Sequence, residues 1–316
     1  MTTRFSPPEV NISLPIREVE IGEAGKNILK IGGEDCFPFV PADGLKVAKT
    51  TIAVEIHDTL PDKYPALLKQ SWGEVITSPV LWAQKAKDLG ANMIALRLQS
   101  SLQQNSPENI AKVAKEIIKK THLPLSLLGI NNREVDKKYL PALAVLLKGY
   151  NCLIGPVEEE TYKEIIPACR DNGHCVIART PIDINLAKQL NILITDMRFD
   201  PNKIIIDPNM GGLGYGLDYA YSVLEKIRIA AFEGDTMLNM PVIVFSGEET
   251  WRTKEAKSDV EDNIWGNPSI RSTMWESLTT SSMMMTGANI VIMRYPDSIK
   301  EIQNFLNQTT NMVKRV

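Results

Sequence analysis

The chain has 316 residues, enough for one large domain or two ordinary ones, and its 44% hydrophobic and 23% charged content is that of a soluble globular protein. Thirty-five basic against 38 acidic side chains give a formal charge of −3, which argues against a nucleic-acid binder. No run approaches the roughly 18 apolar residues of a membrane span, and residues 1–10 hold two prolines but no apolar core segment, so neither a membrane protein nor a signal peptide is expected and the location is expected to be cytoplasmic.

Residues 1–15 are Pro-rich and polar, which predicts an extended segment. Residues 16–21 alternate apolar and charged, and 27–31 can return beside them, so a β-hairpin is expected across the turn at 22–25. Ile31-Gly32-Gly33-Glu34-Asp35-Cys36-Phe37-Pro38-Phe39 then reads as a sharp bend with two aromatic anchors, suited to plugging one end of the following domain.

From residue 50 a regular alternation begins. Short apolar strands are expected at 51–56, 93–98, 124–128, 151–154, 175–178, 204–206, 241–245 and 289–293. Helices are expected at 79–89, 107–120, 135–148, 159–171, 182–190 (with more possible to 197), 217–232, 270–286 and 298–307. Eight βα units in about 260 residues, with strands apolar throughout as if buried on both faces, predict an α/β fold: a TIM (β/α)8 barrel over 49–316 behind an N-terminal extension with a β-hairpin over 1–48. A doubly wound open sheet is the rival.

In such a barrel the functional face lies at the C-terminal ends of the strands. The residues that collect there are Glu55, His57 and Asp58; Arg97 and Gln99; Gly129, Asn131, Asn132 and Arg133; Gly155, Pro156 and Glu158; Arg179, Thr180, Pro181 and Asp183; the 207–216 loop; Ser246, Gly247 and Glu248; and Arg294, Tyr295 and Pro296. The set is rich in hydrogen-bonding groups and lacks an obvious catalytic constellation. His57 is the one candidate imidazole, expected to be a hydrogen-bonded structural residue, and Asp207 with Glu248 could form an acid–base pair or simply hold loops. Cys36, Cys152, Cys169 and Cys175 contain no Cys-x-x-Cys pair and are expected to be reduced and mostly buried. His174 stands between two of them, but a helix end and a strand start would orient Cys169 and Cys175 differently, so no metal site is expected.

The most unusual stretch is Asp207-Pro208-Asn209-Met210-Gly211-Gly212-Leu213-Gly214-Tyr215-Gly216, where a strand ends on Asp-Pro and a Gly-rich loop leads into a helix. The glycines suit either a tight βα turn or a close approach to a large flat ligand. After the seventh strand, 247–269 reads as a loop of about 23 residues with Trp251 and Trp265, either a partner-binding excursion or a solvated one whose tryptophans pack back. The Met283-Met284-Met285 run reads as flexible core filling.

The Asp-Pro-Gly-rich loop resembles that of pterin-binding TIM barrels such as dihydropteroate synthase and methyltetrahydrofolate methyltransferases. Together with Ile31–Phe39 and the Ile52-Ala-Val-Glu-Ile-His-Asp58 strand, nearly the whole chain resembles the small subunit of the corrinoid/iron–sulfur protein of the acetyl-CoA (Wood–Ljungdahl) pathway, the CO dehydrogenase/acetyl-CoA synthase delta-subunit family. The resemblance implies a non-catalytic subunit of a heterodimeric methyl carrier, in which a large subunit bears an iron–sulfur cluster and a mobile corrinoid domain. It implies a corrinoid held between the two chains, no cluster in this one, a methyl group arriving from methyltetrahydrofolate through a methyltransferase, and delivery to acetyl-CoA synthase. Four cysteines without a cluster motif and no Asp-x-His-x-x-Gly corrinoid motif fit that division. From their places in the barrel, Asn131, Thr180, Asp207, Asn209, Gly211, Gly212, Gly214 and Ser246 are the expected cofactor-binding residues. A stand-alone pterin-dependent methyltransferase using Asp207 with Asn131 or Asn209 remains the alternative, and a purely structural subunit that touches no cofactor is a third reading.

Overall fold

The structure, a computed structural model, describes residues 12–38, 46–47, 49–261 and 264–313. The expected extended segment before residue 12 and the second aromatic anchor, Phe39, lie outside the described residues. Strands β1 (Val19–Ile21) and β2 (Leu29–Ile31) form an antiparallel hairpin. Eight parallel strands follow: β3 (Thr51–His57), β4 (Met93–Arg97), β5 (Leu125–Leu128), β6 (Leu153–Val157), β7 (Cys175–Arg179), β8 (Ile204–Asp207), β9 (Ile243–Val244) and β10 (Ile290–Met293). Their hydrogen-bonded order is β8-β7-β6-β5-β4-β3-β10-β9, and a parallel bridge between Ile206 and Val242 joins the two ends into a TIM barrel.

Around it stand α1 (Ala66–Trp72), α2 (Pro79–Asp88), α3 (Pro107–Thr121), α4 (Arg133–Leu146), α5 (Tyr162–Asn172), α6 (Ile184–Asp196), α7 (Leu217–Phe232), α8 (Ser246–Thr250), α9 (Lys254–Lys257), α10 (Pro268–Met285) and α11 (Pro296–Val313). The helix starts follow capping chemistry. Ser106 accepts the Asn109 N–H ahead of Pro107, and Asp183 accepts those of Asn185 and Leu186. Helix α4 starts two residues before the expected 135 because Asn132 caps it.

Two regions differ from expectation. The 58–78 connection contains α1 and a 3-10 turn at Gly73–Thr77, and the 247–269 segment contains α8 and α9. Trp251 is buried and donates from Nε1 to Glu276 (2.9 Å), whereas Trp265 is 41% exposed with the Arg271 guanidinium 5.5 Å from its ring.

Side chains alternate along each strand. Ile52, Val54, Ile94, Leu96, Ile154, Val176 and Val291 face the helices, while Ala53, Met93, Ala95, Leu153, Ile177, Ile205 and Ile290 fill the barrel. The plug of the lower end is the hairpin itself rather than the expected Phe-Pro-Phe bend: Val19, Ile21 and Ile31 join the interior cluster. Phe37 packs outside, edge-on to Phe232 of α7. Gly32 takes φ +91° where a Cβ would lie 2.0 Å from the Arg17 carbonyl oxygen, so no other residue fits this turn. Glu34, next in line, is buried and accepts from Asn289 Nδ2 (2.8 Å) beside Arg228 (3.6 Å).

Candidate functional site

The inward parity that fills the barrel with Ala53, Met93, Cys175, Ile205 and Ile290 continues upward to Glu55, Arg97, Arg179, Asp207 and Arg294. All five approach the axis at the mouth. Arg97 donates from Nε and Nη2 to Glu55 (3.1 and 3.2 Å), from Nη2 to Glu248 (2.6 Å) and from Nη1 to the Gly129 carbonyl (2.9 Å). Arg294 donates to Glu55 (2.7 Å). Arg179 donates to Asp207 (2.5 Å) and to Asn131 Oδ1 (2.8 Å), and Asn131 passes the connection on to Glu248 (3.3 Å). Both Arg179 and Arg97 lie over the Phe245 ring, 4.5 and 5.8 Å from its centre.

Three buried guanidinium groups therefore face three buried carboxylates, and a fourth, the exposed Arg252, donates to Glu248 from outside (2.6 Å). Burial pushes the Glu55 and Glu248 carboxyls up, but the arginines outweigh it: Glu55 is held well below the usual range and Glu248 at about 2. Asp207 and Glu248, considered as an acid–base pair, are instead separated by Arg179 and Asn131, each carboxylate being claimed by its own arginine.

His57 differs from the expected hydrogen-bonded structural histidine. Neither ring nitrogen has a hydrogen bond, and the ring sits between Tyr64 and Trp82, with Glu55 3.6 Å from Nε2. Burial lowers its pKa to about 3, so it is neutral at ordinary pH. Beneath Arg294, Glu276 of α10 accepts the N–H groups of Arg294 (2.6 Å) and Tyr295 (3.1 Å) as well as the Trp251 indole. Burial nevertheless lifts its pKa to about 7.

The expected cofactor-binding residues fall into three groups. Asn131, Thr180 and Asn209 reach the mouth. Thr180 lines a cleft of about 260 Å³ with Asn209, Arg179, Arg133 and Gln189, and its hydroxyl is buried without a partner. Asn131 and Asn209 both hold positive φ, 62° and 59°. Asp207 and Ser246 lie deeper: Ser246 donates to the Ile292 carbonyl (3.2 Å) and accepts from Thr280 (2.8 Å). Gly211, Gly212 and Gly214 belong to a closed turn in which the Tyr215 N–H meets the Gly212 carbonyl (2.8 Å). A Cβ on Gly211 would lie 2.4 Å from the Tyr215 carbonyl oxygen, so the turn itself requires that glycine, while a Cβ on Gly212 would lie 3.3 Å from the Glu249 carbonyl oxygen of α8.

Of the cysteines, Cys175 donates to the Glu20 carbonyl of the hairpin (3.3 Å), and all four are buried. His174 is used at the lower end, accepting the Cys152 N–H at Nδ1 (3.0 Å), with Nε2 against the Ala144 carbonyl (2.8 Å). No group of three or more His, Cys, Asp or Glu side chains with metal-holding geometry occurs among the described residues. Nor is any described helix long and apolar enough to cross a membrane.

The family model for the CO dehydrogenase/acetyl-CoA synthase delta subunit matches residues 18–311, from the hairpin to the last helix. The chain belongs to this delta-subunit family. Among curated relatives, the acetyl-CoA decarbonylase/synthase complex subunit delta of Methanosarcina mazei is 30% identical over 90% of this chain and 68% of its own length. That of Methanocaldococcus jannaschii is 28% identical over 95% of this chain and 75% of its own. Among solved structures, the dihydropteroate synthases of Xanthomonas albilineans (TM-score 0.58, 14% identity, 94% of this chain and 99% of that one) and Yersinia pestis (0.56, 14%, 94% and 99%) share the fold. The Gly32-Gly33-Glu34 part of the Ile31–Phe39 segment that the resemblance drew on lies at the end opposite the mouth, where Glu34 accepts from Asn289.

Sequence reasoning named Glu55, Arg97, Arg179, Glu248 and Arg294 as strand-end residues and weighed Glu248 as a partner of Asp207, but did not single out the other four. The signal that joins Glu55, Arg97, Arg179 and Arg294 is parity, each being an even number of residues along its strand or strand end from a side chain that fills the barrel, whereas Glu248, three residues past Phe245 and inside α8, joins them only through tertiary contact.

Proposed function

We propose that this delta-family chain is the barrel subunit of a corrinoid methyl carrier, closing over one face of a corrinoid borne by a large, iron–sulfur-containing subunit. Membership of a family whose curated relatives are named as subunits of the acetyl-CoA decarbonylase/synthase complex supports the assembly role. The observation that carries the cofactor role is the state of the mouth. Its axis is filled by Arg97, Arg179 and Arg294 with Glu55, Asp207 and Glu248, so the barrel offers a rigid polar floor rather than a deep receptacle. A stand-alone methyltransferase would need that depth for a pterin ring.

The residues present fit a corrin periphery. A cleft of about 260 Å³ takes one amide arm and not a macrocycle, and the buried Thr180 hydroxyl has hydrogen-bonding capacity left over. Thr180 and Asn209 would hold the arm. Asn131, already shared between Arg179 and Glu248, would keep the floor in register. When bound, the corrinoid supplies a cobalt centre that accepts and releases a methyl group, which a methyltransferase brings from methyltetrahydrofolate and acetyl-CoA synthase removes. The chain's own residues orient the cofactor and exclude water from the covered face.

Co-purification with the large subunit tests this reading. The isolated chain is expected to be colourless, and the heterodimer to retain corrin absorbance better than the large subunit alone. An isolated chain that binds methyltetrahydrofolate and methylates free cob(I)alamin would instead be a methyltransferase.

A further inference from the structure

Helix α3 carries four exposed lysines, Lys112, Lys115, Lys119 and Lys120, and among the described residues none of them forms an ion pair. Several exposed lysines elsewhere do: Lys26 pairs with Glu23 (2.7 Å), Lys188 with Asp235 (2.6 Å) and Lys300 with Asp297 (3.0 Å). Lysines in the last turn of a helix answer its dipole, which accounts for Lys119 and Lys120 but not for Lys112 and Lys115. Lys112, Lys115 and Lys119 recur at the spacing of one helix face. His122, whose N–H closes the helix on the Ile118 carbonyl (2.8 Å), continues that stripe. These side chains line a trough of about 640 Å³ beside the β1–β2 hairpin, with Asn27 of the hairpin turn and Tyr150. Glu23 and Glu116 are the carboxylates on its lining, and Glu23 is taken by Lys26. The trough is therefore basic in a chain whose formal charge is −3.

We propose that this trough binds a polyphosphate, a chain of two or three phosphates either free or esterified to a nucleoside. Its volume falls within the range of small-molecule sites, roughly 300–1,000 Å³. From Lys112 to Lys119 the helix rises about 10 Å at 1.5 Å per residue, a span over which lysine stems converge on several linked phosphates rather than on one. Ammonium groups act on phosphate as point charges, and these four give up no carboxylate partner to do so. Asn27 accepts the Glu23 N–H with its side-chain oxygen (2.7 Å), which leaves its amide nitrogen to donate. An acidic peptide is the poorer fit. Extended, it advances about 3.3 Å per residue with alternate side chains facing away, so it brings less charge into the trough than a phosphate chain of equal length. The inference uses none of the mouth residues and does not rest on the corrinoid reading.

Titration calorimetry of the full chain with inorganic tripolyphosphate at low salt reads the site directly. One saturable site is expected, with orthophosphate at least ~10-fold weaker and affinity falling about tenfold between ~0.05 and ~0.3 M salt. Lys112→Gln/Lys115→Gln, altered only at exposed positions, is expected to keep its circular dichroism and to bind about tenfold more weakly. Lys137→Gln/Lys188→Gln removes the same charge from α4 and α6, where both lysines lie beside carboxylates, and is expected to bind as the wild type does. Absence of a saturable site would overturn the proposal. So would an equal loss in the two double variants, which would reduce the effect to general attraction of a polyanion. Adenosine diphosphate binding more tightly than inorganic pyrophosphate assigns the trough to a nucleotide, and equal or weaker binding assigns it to a bare phosphate chain; both results uphold the phosphate assignment. Hexaglutamate binding more tightly than tripolyphosphate would overturn that assignment in favour of an acidic protein segment.

Discussion

The two ends of this barrel both bury ions, in different numbers and to different effect. At the lower end one arginine, Arg228, donates to the carbonyls of Gly287 (2.7 Å) and Met240 and to the Asn289 side chain, near a single carboxylate, Glu34. At the mouth three arginines share three carboxylates contributed by β3, β8 and the start of α8. The histidines repeat the contrast: His174 below has both nitrogens engaged, and His57 above has neither. The lower end uses polar groups to fasten an apolar plug. The mouth uses them to hold a polar surface of fixed shape.

The sharpest way to break this comparison is to remove one arginine from each end. Arg97→Leu takes two hydrogen bonds from the fully buried Glu55, leaving it Arg294, and one from Glu248, leaving it Arg252 and Asn131, and is expected to cost about 3–5 kcal/mol in denaturant unfolding. Arg228→Met removes hydrogen bonds to neutral acceptors and one longer ion pair, to Glu34 at 3.6 Å, which keeps the Asn289 amide; burial already disfavours the arginine's charge, so a smaller cost of about 1–3 kcal/mol is expected. An equal or reversed order would mean that the mouth lattice is not a coupled unit.

The pH dependence sharpens the comparison further. Folded Glu276 keeps its proton to about pH 7 against an ordinary value of 4.5, so its contribution is fully present below 4.5 and is lost as pH rises through 7. His57 has the opposite sign: held down to about 3, it contributes stability above its ordinary 6.5 that is lost as pH falls. Between pH 4.5 and 6.5 the two slopes oppose each other at about 1.4 kcal/mol per pH unit each. Glu276→Gln is expected to remove one of them. Its stability should therefore fall more steeply with acid than the wild type's, and the gap between the two should narrow from pH 4.5 to 7.

The smallest expected effect on stability is the most informative about function. Thr180→Val removes a hydroxyl that has no partner and should change unfolding by less than about 0.5 kcal/mol. The same variant should weaken corrin retention by the heterodimer several-fold. Unchanged retention would remove Thr180 from the cofactor surface.

The eight strands were legible because a strand buried on both faces writes a continuous apolar run, as 52–54 and 204–206 do. Helix α1 was not, because its seven residues are too few to establish a period and follow the loop-like Pro61-Asp-Lys-Tyr-Pro65. The four- and five-residue helices α9 and α8 escaped for the same reason. The mouth was half legible. Its residues could be enumerated from strand ends, but partner choice is tertiary: Asp207 meets Arg179 across 28 residues and Arg97 meets Glu248 across 151. The Gly-rich loop could not be assigned from sequence because a tight turn and a close approach to a flat molecule ask for the same residues.

The buried cysteines carry one further consequence. Burial pushes the thiols of Cys152 and Cys175 up to about 12 and raises that of Cys169 as well. Such sulfurs stay protonated and out of reach of oxidants and electrophiles. These three thiols are therefore expected to react with a thiol reagent only as the barrel opens, so their labelling rate reads local unfolding of the wall around them.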